Sequence, residues 1–294
     1  MLLLIMDIYF RKLKNSDIPQ INEISQEIWE GEDYVPGVIN NWLKQEECLN
    51  YGAFEDIEKS ILIGFGRVKY YPNGVAWLEG GRVRPSYQQK GIGRQLIHYA
   101  LTEAQKAGSK IAQYDTSSKN QGSIALAKYF GFERKKEMQI LVTEPSELRL
   151  ELTSVSDIKL ERIDALTAKS LYSTMDTGPG NEICIGWSFI PLDFLSDKDF
   201  TWLKLHDSIL HTPNSIIDTI YEKPTEDELW IITYGEPVDN KKLIEYLLSN
   251  TIQNYQYNII VAFCQSDTAK LIHQLGFGYK NDEPSKVVLF EKKL

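Results

Sequence analysis

The sequence predicts an α/β protein of two domains, each a mixed sheet flanked by helices. Three observations carry that prediction. The chain has 294 residues, about twice the length of a common single domain. Its first half alternates between apolar spacings of period two and of period 3.6. A strand, a glycine-containing loop and a long helix follow one another at the centre of that half. Hydrophobic residues make up 43% and charged residues 25% of the chain, which excludes disordered, collagenous and coiled-coil classes. No run approaches the roughly 18 apolar residues of a spanning helix, so no membrane role is expected.

The elements follow in order. Asp7–Lys12 reads as a strand. Ser16 is placed to cap a helix running to Trp29, with Ile18, Ile21, Ile24 and Ile28 at helical spacing. Residues 31–37 (GEDYVPG) read as a loop and Val38–Gln45 as a second helix. Three strands follow, Leu49–Phe54, Ile61–Tyr70 and Val75–Val83, the last two joined by the turn YYPNG at 70–74. A long helix spans Gly91–Ala107 and stops at Gly108. Ile111–Thr116 is a strand, Asn120–Phe130 a short helix closed by Gly131-Phe132, and Arg134–Thr143 a last strand. The order is β-α-α-β-β-β-α-β-α-β.

Pro145 and alternating charges over 144–151 mark a junction, giving domains 1–145 and 150–294. In the second half, helices are expected at Ser156–Leu171, Val238–Thr251 and Ser266–Leu275. Strands are expected at Ile183–Ile190, Ser215–Tyr221, Leu229–Tyr234, Tyr257–Phe263 and Lys286–Phe290. Gly131-Phe132 recurs as Gly276-Phe277, each pair ending a short helix after a strand. The second half therefore reads as a diverged copy of the first. Its counterpart of the glycine loop is GEPVDN at 235–240, where two acids replace the basic loop, so phosphate binding is expected to be lost there.

Residues 1–145 carry 18 basic and 18 acidic side chains, so the whole net charge of −9 falls in the second half. This balance argues against a nucleic-acid partner and places a polyanionic ligand on the first half. Cys48, Cys184 and Cys264 are odd in number and form no CxxC pair, which fits buried thiols in a reducing, cytoplasmic setting. The start MLLLIM meets Asp7 without the basic region of a secretory leader. His98, His206, His211 and His273 show no metal-ligand spacing, and no metal is expected.

The strongest local signal is WLEGGRVRPSYQQKGIGRQL at 77–96. A strand enters a loop with glycines at 91 and 93 and passes straight into a helix. Backbone N–H groups converge at such a turn, the helix dipole adds positive character, and Lys90 and Arg94 add full charges. The physics predicts a phosphate or pyrophosphate cradle. It is not a P-loop, because Arg94-Gln95 stands where Lys-Ser/Thr is required, and not a dinucleotide fingerprint, because position 96 is Leu.

Val83-Arg84-Pro85, then Gln88–Gly93, a long helix, a strand, Asn120 and a short helix ending Gly131-Phe132 together resemble the GNAT family of acyl-CoA N-acyltransferases. The resemblance covers residues 7 to 143. Trp29, Gly31 and Asp33–Pro36, taken with Glu79-Gly80 and Arg82-Val83, look like the subgroup that includes histidine N-acetyltransferase. The second half looks like the degenerate second domain of two-domain members. The resemblance implies the GNAT fold and acetyl-CoA as acyl donor. It implies that the Val83 N–H holds the thioester carbonyl, as an oxyanion donor would. It also implies that Arg82 and Val83 touch the cofactor arm, that Gln88, Gln89, Lys90, Gly91, Ile92, Gly93 and Arg94 hold the pyrophosphate, and that Asn120 meets the arm from the next helix.

Amine attack needs a neutral amine, hence a base. Glu79 lies on the strand expected to hold the thioester, and period two places it on the face shared by Gly81 and Val83. Some GNAT enzymes carry a catalytic glutamate there; the alternative is a residue that orients a loop or pairs with Arg82. Many members have a tyrosine acid seven residues after the asparagine, where this chain has Ala127. Either Tyr129 or another group substitutes, or the thiolate leaves unaided, since a CoA thiol is about as acidic as cysteine. In the 29–37 loop, Glu30, Glu32 and Asp33 are placed to attract a cationic amine and Trp29 and Tyr34 to flank it. The expected activity is direct acetyl transfer to a primary amine of an amino acid or another small molecule. A protein acceptor and an inactive CoA-binding sensor stand as rivals. The sequence does not give the oligomeric state.

Overall fold

The structure is a computed structural model that describes residues 7–28, 31, 33–150, 160–214, 227–251, 257–280 and 283–294. Contacts divide the chain into two units. The first is Met1–Tyr114 with Gly122–Glu133 and Phe290–Leu294; the second is Asp115–Gln121 with Arg134–Leu289. The expected junction at 144–151 follows a strand that the contacts already assign, from Arg134 on, to the second unit.

In the first unit β1 (Tyr9–Lys12), α1 (Ile18–Gln26), α2 (Val35–Trp42), β2 (Cys48–Phe54), β3 (Leu62–Tyr70), β4 (Val75–Val83), α3 (Ile92–Lys106), β5 (Ile111–Ser117) and α4 (Gln121–Phe130) follow in the predicted order. Helix α2 begins three residues earlier than expected, inside the anticipated loop, with Pro36 in its first turn, where a missing N–H costs nothing. The sheet order is β1-β2-β3-β4-β5. Strands β2, β3 and β4 form an antiparallel meander, and β4 pairs with β5 in parallel across the α3 crossover. Ile92, Leu96, Ala100 and Ala104 of α3 bury against Leu49, Tyr51, Val68 and Ala76 on one face. Ile21, Ile24, Val35, Ile39 and Trp42 of α1 and α2 bury against Leu62 and Phe65 on the other. Each helix thus covers the apolar half of an alternating strand pattern. Gly131, at φ +72°, stops α4, and Phe132 packs edge-on against Tyr114 at 5.0 Å.

The second unit holds β6 (Glu133–Thr143), β7 (Glu161–Ile163), α5 (Ala165–Tyr172), the hairpin of β8 (Glu182–Cys184) and β9 (Phe189–Pro191), β10 (Phe200–Leu205), β11 (Ser208–Pro213), β12 (Glu228–Tyr234), α6 (Pro237–Thr251), β13 (Ile259–Cys264), α7 (Ser266–Ile272) and most of β14 (Ser285–Lys293). The sheet order β6-β13-β12-β11-β10-β7 again contains an antiparallel meander, β10-β11-β12, followed by a parallel β12–β13 pair across a helix. Several expectations change here. The single strand at 183–190 is a hairpin. The helix at 156–171 begins only at Ala165, after a short strand, and the strand at 215–221 and the start of that helix lie outside the described residues. The β10–β11 hairpin was not anticipated. Lys204 stands among the apolar positions of β10, and the turn His206-Asp207 carries neither glycine nor proline, so the hairpin signal is weak.

Candidate active site

Strand β4 positions the site, and a defect in its pairing decides which side chains meet. Phe65 pairs with Arg82 but Arg67 pairs with Glu79. One residue of β3, Gly66, is therefore matched by two of β4, which is a β-bulge at Gly80-Gly81. Gly80 sits at φ +64°, and a Cβ there would lie 2.7 Å from the Trp42 ring, so only glycine fits. The extra residue inverts the alternation. Glu79 shares its face with Arg82 and turns toward α2, whereas Val83 turns toward α3 and packs with its apolar cluster. The expectation that Glu79, Gly81 and Val83 share one face is corrected accordingly.

Glu79 Oε1 accepts a bond from Arg67 Nη1 at 2.7 Å. The pairing with Arg82 weighed from the sequence does not form. Burial pushes the Glu79 carboxyl up, and Arg67 and Lys69 pull it back without cancelling the rise. Arg67 is itself 1% exposed. Its guanidinium lies 4.6 Å from the Trp42 ring centroid and also donates to Gln45 Oε1 and to Cys48 Sγ at 3.0 Å. The sequence reading missed Arg67. The signal available was a lone arginine inside the apolar run LIGFGRV.

Arg82 makes a two-pronged ion pair with Asp33, at 3.0 and 2.7 Å. Asp33 also accepts the Val35 N–H at the start of α2, at 3.2 Å. These bonds hold the Asp33 carboxylate in a buried pair, so the cation-attracting role expected of Asp33 is corrected, while the strand contact implied for Arg82 does not involve its side chain. Tyr34 packs against the Arg82 guanidinium at 5.3 Å and against Trp42 at 6.0 Å. Trp29 and Glu30, with Glu32, lie outside the described residues.

The parallel ladder of β4 on β5 runs only from Val75–Ile111 to Trp77–Gln113. Further along β4, the Arg84 N–H donates to the Ile63 carbonyl at 2.9 Å. Strand alternation therefore turns the Val83 N–H away from β3, to the side where the β5 ladder has ended. Eight residues then lead from β4 to α3. Gln89 and Gly91 both adopt positive φ, at +60° and +85°, a geometry that gathers successive N–H groups on one side. The ladder of α3 opens with the Gln95 N–H on the Gly91 carbonyl at 3.2 Å, leaving the Ile92, Gly93 and Arg94 amides outside it. A Cβ on Gly91 would meet nothing within 4 Å, whereas one on Gly93 would meet Leu126 at 3.3 Å. The two glycines thus do different jobs: Gly91 permits the turn beside open space, and Gly93 lets α3 lie against α4. Gln88, Gln89, Lys90 and Arg94 are exposed.

Residues 17–132 match the model of the acetyltransferase (GNAT) family. Those residues are a GNAT acetyltransferase domain. No curated protein matches the chain. Among solved structures, a proposed acetyltransferase from Thermoplasma acidophilum shares 14% identity over 97% of this chain and 100% of its own, with a TM-score of 0.60. One from Pyrococcus horikoshii shares 13% over 98% of this chain and 89% of its own, also at 0.60. A GCN5-related N-acetyltransferase from Kribbella flavida shares 11% over 98% of this chain and 71% of its own, at 0.56. At these identities the likeness is one of fold, and it extends over nearly the whole chain. The GNAT family uses acetyl-CoA, and the matched residues are those of an acyl-CoA-dependent acetyltransferase domain.

Two further expected GNAT positions flank or lie on α4. Asn120 is exposed just before α4, its N–H donating to the Ser117 carbonyl at 2.9 Å. Tyr129 is 65% exposed and lies beneath the Arg94 guanidinium at 5.0 Å, beside the α3 start. Ala127, at the place of the usual tyrosine, is buried.

The second unit also joins an antiparallel meander to a parallel pair across a helix. Its parallel ladder begins at Glu228–Ile259, as the first begins at Val75–Ile111. Counting from there, Glu79 corresponds to Ile232, and Arg67 to the residue opposite Ile232, which is His211. The β11–β12 register has no bulge. Only Gly235 and Glu236 separate β12 from α6. Ser208 closes this turn, its Oγ accepting the Glu236 N–H at 2.8 Å and lying 2.5 Å from where a Gly235 Cβ would be.

Proposed function

We propose that the chain transfers the acetyl group of acetyl-CoA directly to a primary amine of an amino acid or similar small molecule, with Glu79 as general base. The observation that carries this reading is the bulge at Gly80-Gly81. It leaves the only carboxylate of β4 on the α2 side with Arg82 while Val83 passes to the α3 side, and Glu79 lies two residues past the point where β4 parts from β5. Acetyl-CoA supplies an acetyl thioester. The loop from Gln88 to Arg94 suits its pyrophosphate, because the space beside Gly91 is open and amides and cations border it. In this reading the Val83 N–H receives the thioester oxygen, and Asn120 meets the cofactor arm. Glu79, alone or through one water, takes the proton that the attacking ammonium must lose. The thiolate departs without a dedicated acid, since Ala127 carries no proton and Tyr129 sits at the loop.

We further propose that the halves 1–145 and 150–294 are tandem copies and that the second is non-catalytic. Its repeated element order supports common descent, and Ile232, the two-residue turn and the absent bulge support the loss of chemistry. A cytoplasmic setting and the histidine N-acetyltransferase-like subgroup belong to the same reading. The test is to mix the protein with acetyl-CoA and a panel of amino acids, polyamines and peptides and to follow free thiol. Thiol release that depends on one small amine supports the proposal. Release with peptides alone favours a protein acceptor, and release with none makes the chain a CoA-binding protein.

A further inference from the structure

We propose that Arg67 is a positioning residue for the transfer reaction, holding Glu79 by one carboxylate oxygen and keeping it ionised so that the other oxygen is presented to the acceptor amine. This inference rests on the reading of Glu79 as the base. Arg67 touches no reacting atom and acts only through the carboxylate.

The geometry is asymmetric. Arg67 Nη1 bonds Oε1 at 2.7 Å, while no donor among the described residues reaches Oε2. The Glu79 side chain keeps 21% of its surface accessible, against 1% for Arg67. The arginine is therefore the buried anchor and the carboxylate the accessible end. Trp42 stacks on the guanidinium and Gln45 and Cys48 accept from Nη2, which fixes the plane of the fork. The Arg67 Nε, by contrast, is buried with no partner. A buried ion pair is weak evidence of stabilisation, since apolar replacements of similar volume often do as well. A buried arginine that leaves one donor unsatisfied and spends another on a carboxylate with about a fifth of its surface accessible fits a demand on that carboxylate better than a demand of packing.

The charged or titratable groups facing Glu79 come from two strands. They are Arg67 and Lys69 on β3 and Cys48 on β2, with Glu47 beside Cys48 and Lys69. Trp42 from α2 is uncharged, and Arg82 on β4 itself is taken by Asp33. Lys69 and the thiol are both shifted toward their neutral forms by burial. Arg67 is thus the fixed positive charge that opposes burial of the carboxylate.

The test uses the full chain as parent, Arg67→Met, Arg67→Lys and Glu79→Gln. One arm follows the Glu79 side-chain carboxyl by 13C NMR titration, assigned by its loss in Glu79→Gln. The other follows kcat/KM against pH, with acetyl-CoA and the best amine of the panel. Removing the charge in Arg67→Met should raise the carboxyl midpoint by at least about one pH unit, a tenfold change in the proton equilibrium. The acid limb of kcat/KM should move by the same amount. Arg67→Lys keeps a charge but not the fork, so it should restore the limb while its plateau stays below the parent's. In the parent, the Arg67 guanidinium 15N–H signals should titrate with the Glu79 midpoint, a measurement that needs no variant to fold. Loss of turnover in Glu79→Gln together with an unmoved limb in Arg67→Met, or parent guanidinium signals that ignore the carboxyl titration, would overturn the role of Arg67 and leave the base in place. Parent-like turnover in Glu79→Gln would overturn the base reading, and the positioning role with it.

Discussion

The connection from β4 to α3 and the connection from β12 to α6 leave matched parallel ladders and arrive at helices of equal length, yet they differ in length and in the space they leave. In the first, eight residues wander through two positive-φ positions and leave space beside Gly91. In the second, two residues suffice, and a serine hydroxyl from the next strand takes the place an anion would need. The same contrast runs down the strands. A bulge, a carboxylate and a buried arginine on β4 and β3 stand against an unbroken register, an isoleucine and a neutral histidine on β12 and β11. The helix and sheet scaffold is thus separable from the chemistry, which resides in a few backbone irregularities and the side chains they re-aim.

The largest effect that would break this contrast is at Glu79. Glu79→Gln keeps shape and hydrogen bonding but cannot accept a proton at neutral pH. Turnover with acetyl-CoA and the best amine should fall by about 10²–10⁴-fold, with affinity for acetyl-CoA nearly unchanged. Ile232→Val at the matched position of the second unit should leave turnover alone. Steady-state kinetics on both variants and calorimetric binding of CoA decide it; parent-like kcat at pH 7 in Glu79→Gln would show that the bulge does not present a base.

The next effect separates the two connections by one substitution made in each. Gly91→Ala places a side chain in the left-handed region at a cost of about 1–2 kcal/mol, with no clash, so CoA affinity should fall by roughly 5- to 30-fold while the fold persists. Gly235→Ala meets the same backbone penalty and also the Ser208 side chain. It should lower stability and leave CoA affinity at the parent value. Calorimetry should return one CoA per chain in the parent. A stoichiometry of two, or a loss of affinity in Gly235→Ala, would make the second connection a ligand site after all.

His211 gives the contrast a pH signature. Burial pushes its imidazole down to about 3, while in the unfolded chain it titrates near 6.5. The unfolded state therefore takes up a proton that the folded state refuses. Stability from this group is whole above pH ~6.5 and is lost progressively as pH falls toward 3, by up to about 5 kcal/mol in all. His211→Gln should flatten the fall in urea midpoint between pH 7 and pH 5. An unchanged slope would mean that other groups carry the acid sensitivity.

Much of the first unit was legible because its apolar spacings are uninterrupted. Ile18, Ile21 and Ile24 mark α1, Ile92, Leu96 and Ala100 mark α3, and the glycine loop stands between a strand and a helix in plain order. What was illegible was long-range or irregular. The face of Glu79 was misread because period two assumes an unbroken strand, although Gly80-Gly81 within a strand is itself a bulge signal. Asp33 and Arg82 are 49 residues apart, and nothing local says that they neutralise one another. Arg67 looked like an interruption of an apolar run until its partner was found across the ladder. In the second unit, Lys204 on β10 and a turn without glycine or proline hid a hairpin that only its neighbours define.

The smallest effect concerns Tyr129, and it tests whether the first unit needs an acid at all. The usual tyrosine position holds Ala127, so an acid would have to come from elsewhere. Tyr129 is two residues on along α4, a rotation of about 200° on a helix, and its ring faces Arg94 rather than β4. A thiolate of cysteine-like acidity needs little help to leave near neutral pH, whereas an alkoxide would. Tyr129→Phe keeps the ring under the guanidinium and removes only the hydroxyl, so kcat should stay within about twofold of the parent across the pH range, well short of the 10²-fold floor for losing acid catalysis. Tyr129→Ala also removes the ring. If Arg94 works on the bound phosphates, CoA affinity should then drop by the few-fold that about 0.5–1 kcal/mol of exposed cation–π contact represents, again with kcat intact. The two variants together distinguish a ring that steadies a cation from a hydroxyl that donates a proton. A kcat loss of 10²-fold in Tyr129→Phe, growing as pH rises above the thiol's range, would return the acid role to Tyr129 and require α4 to turn toward β4 when acetyl-CoA is bound.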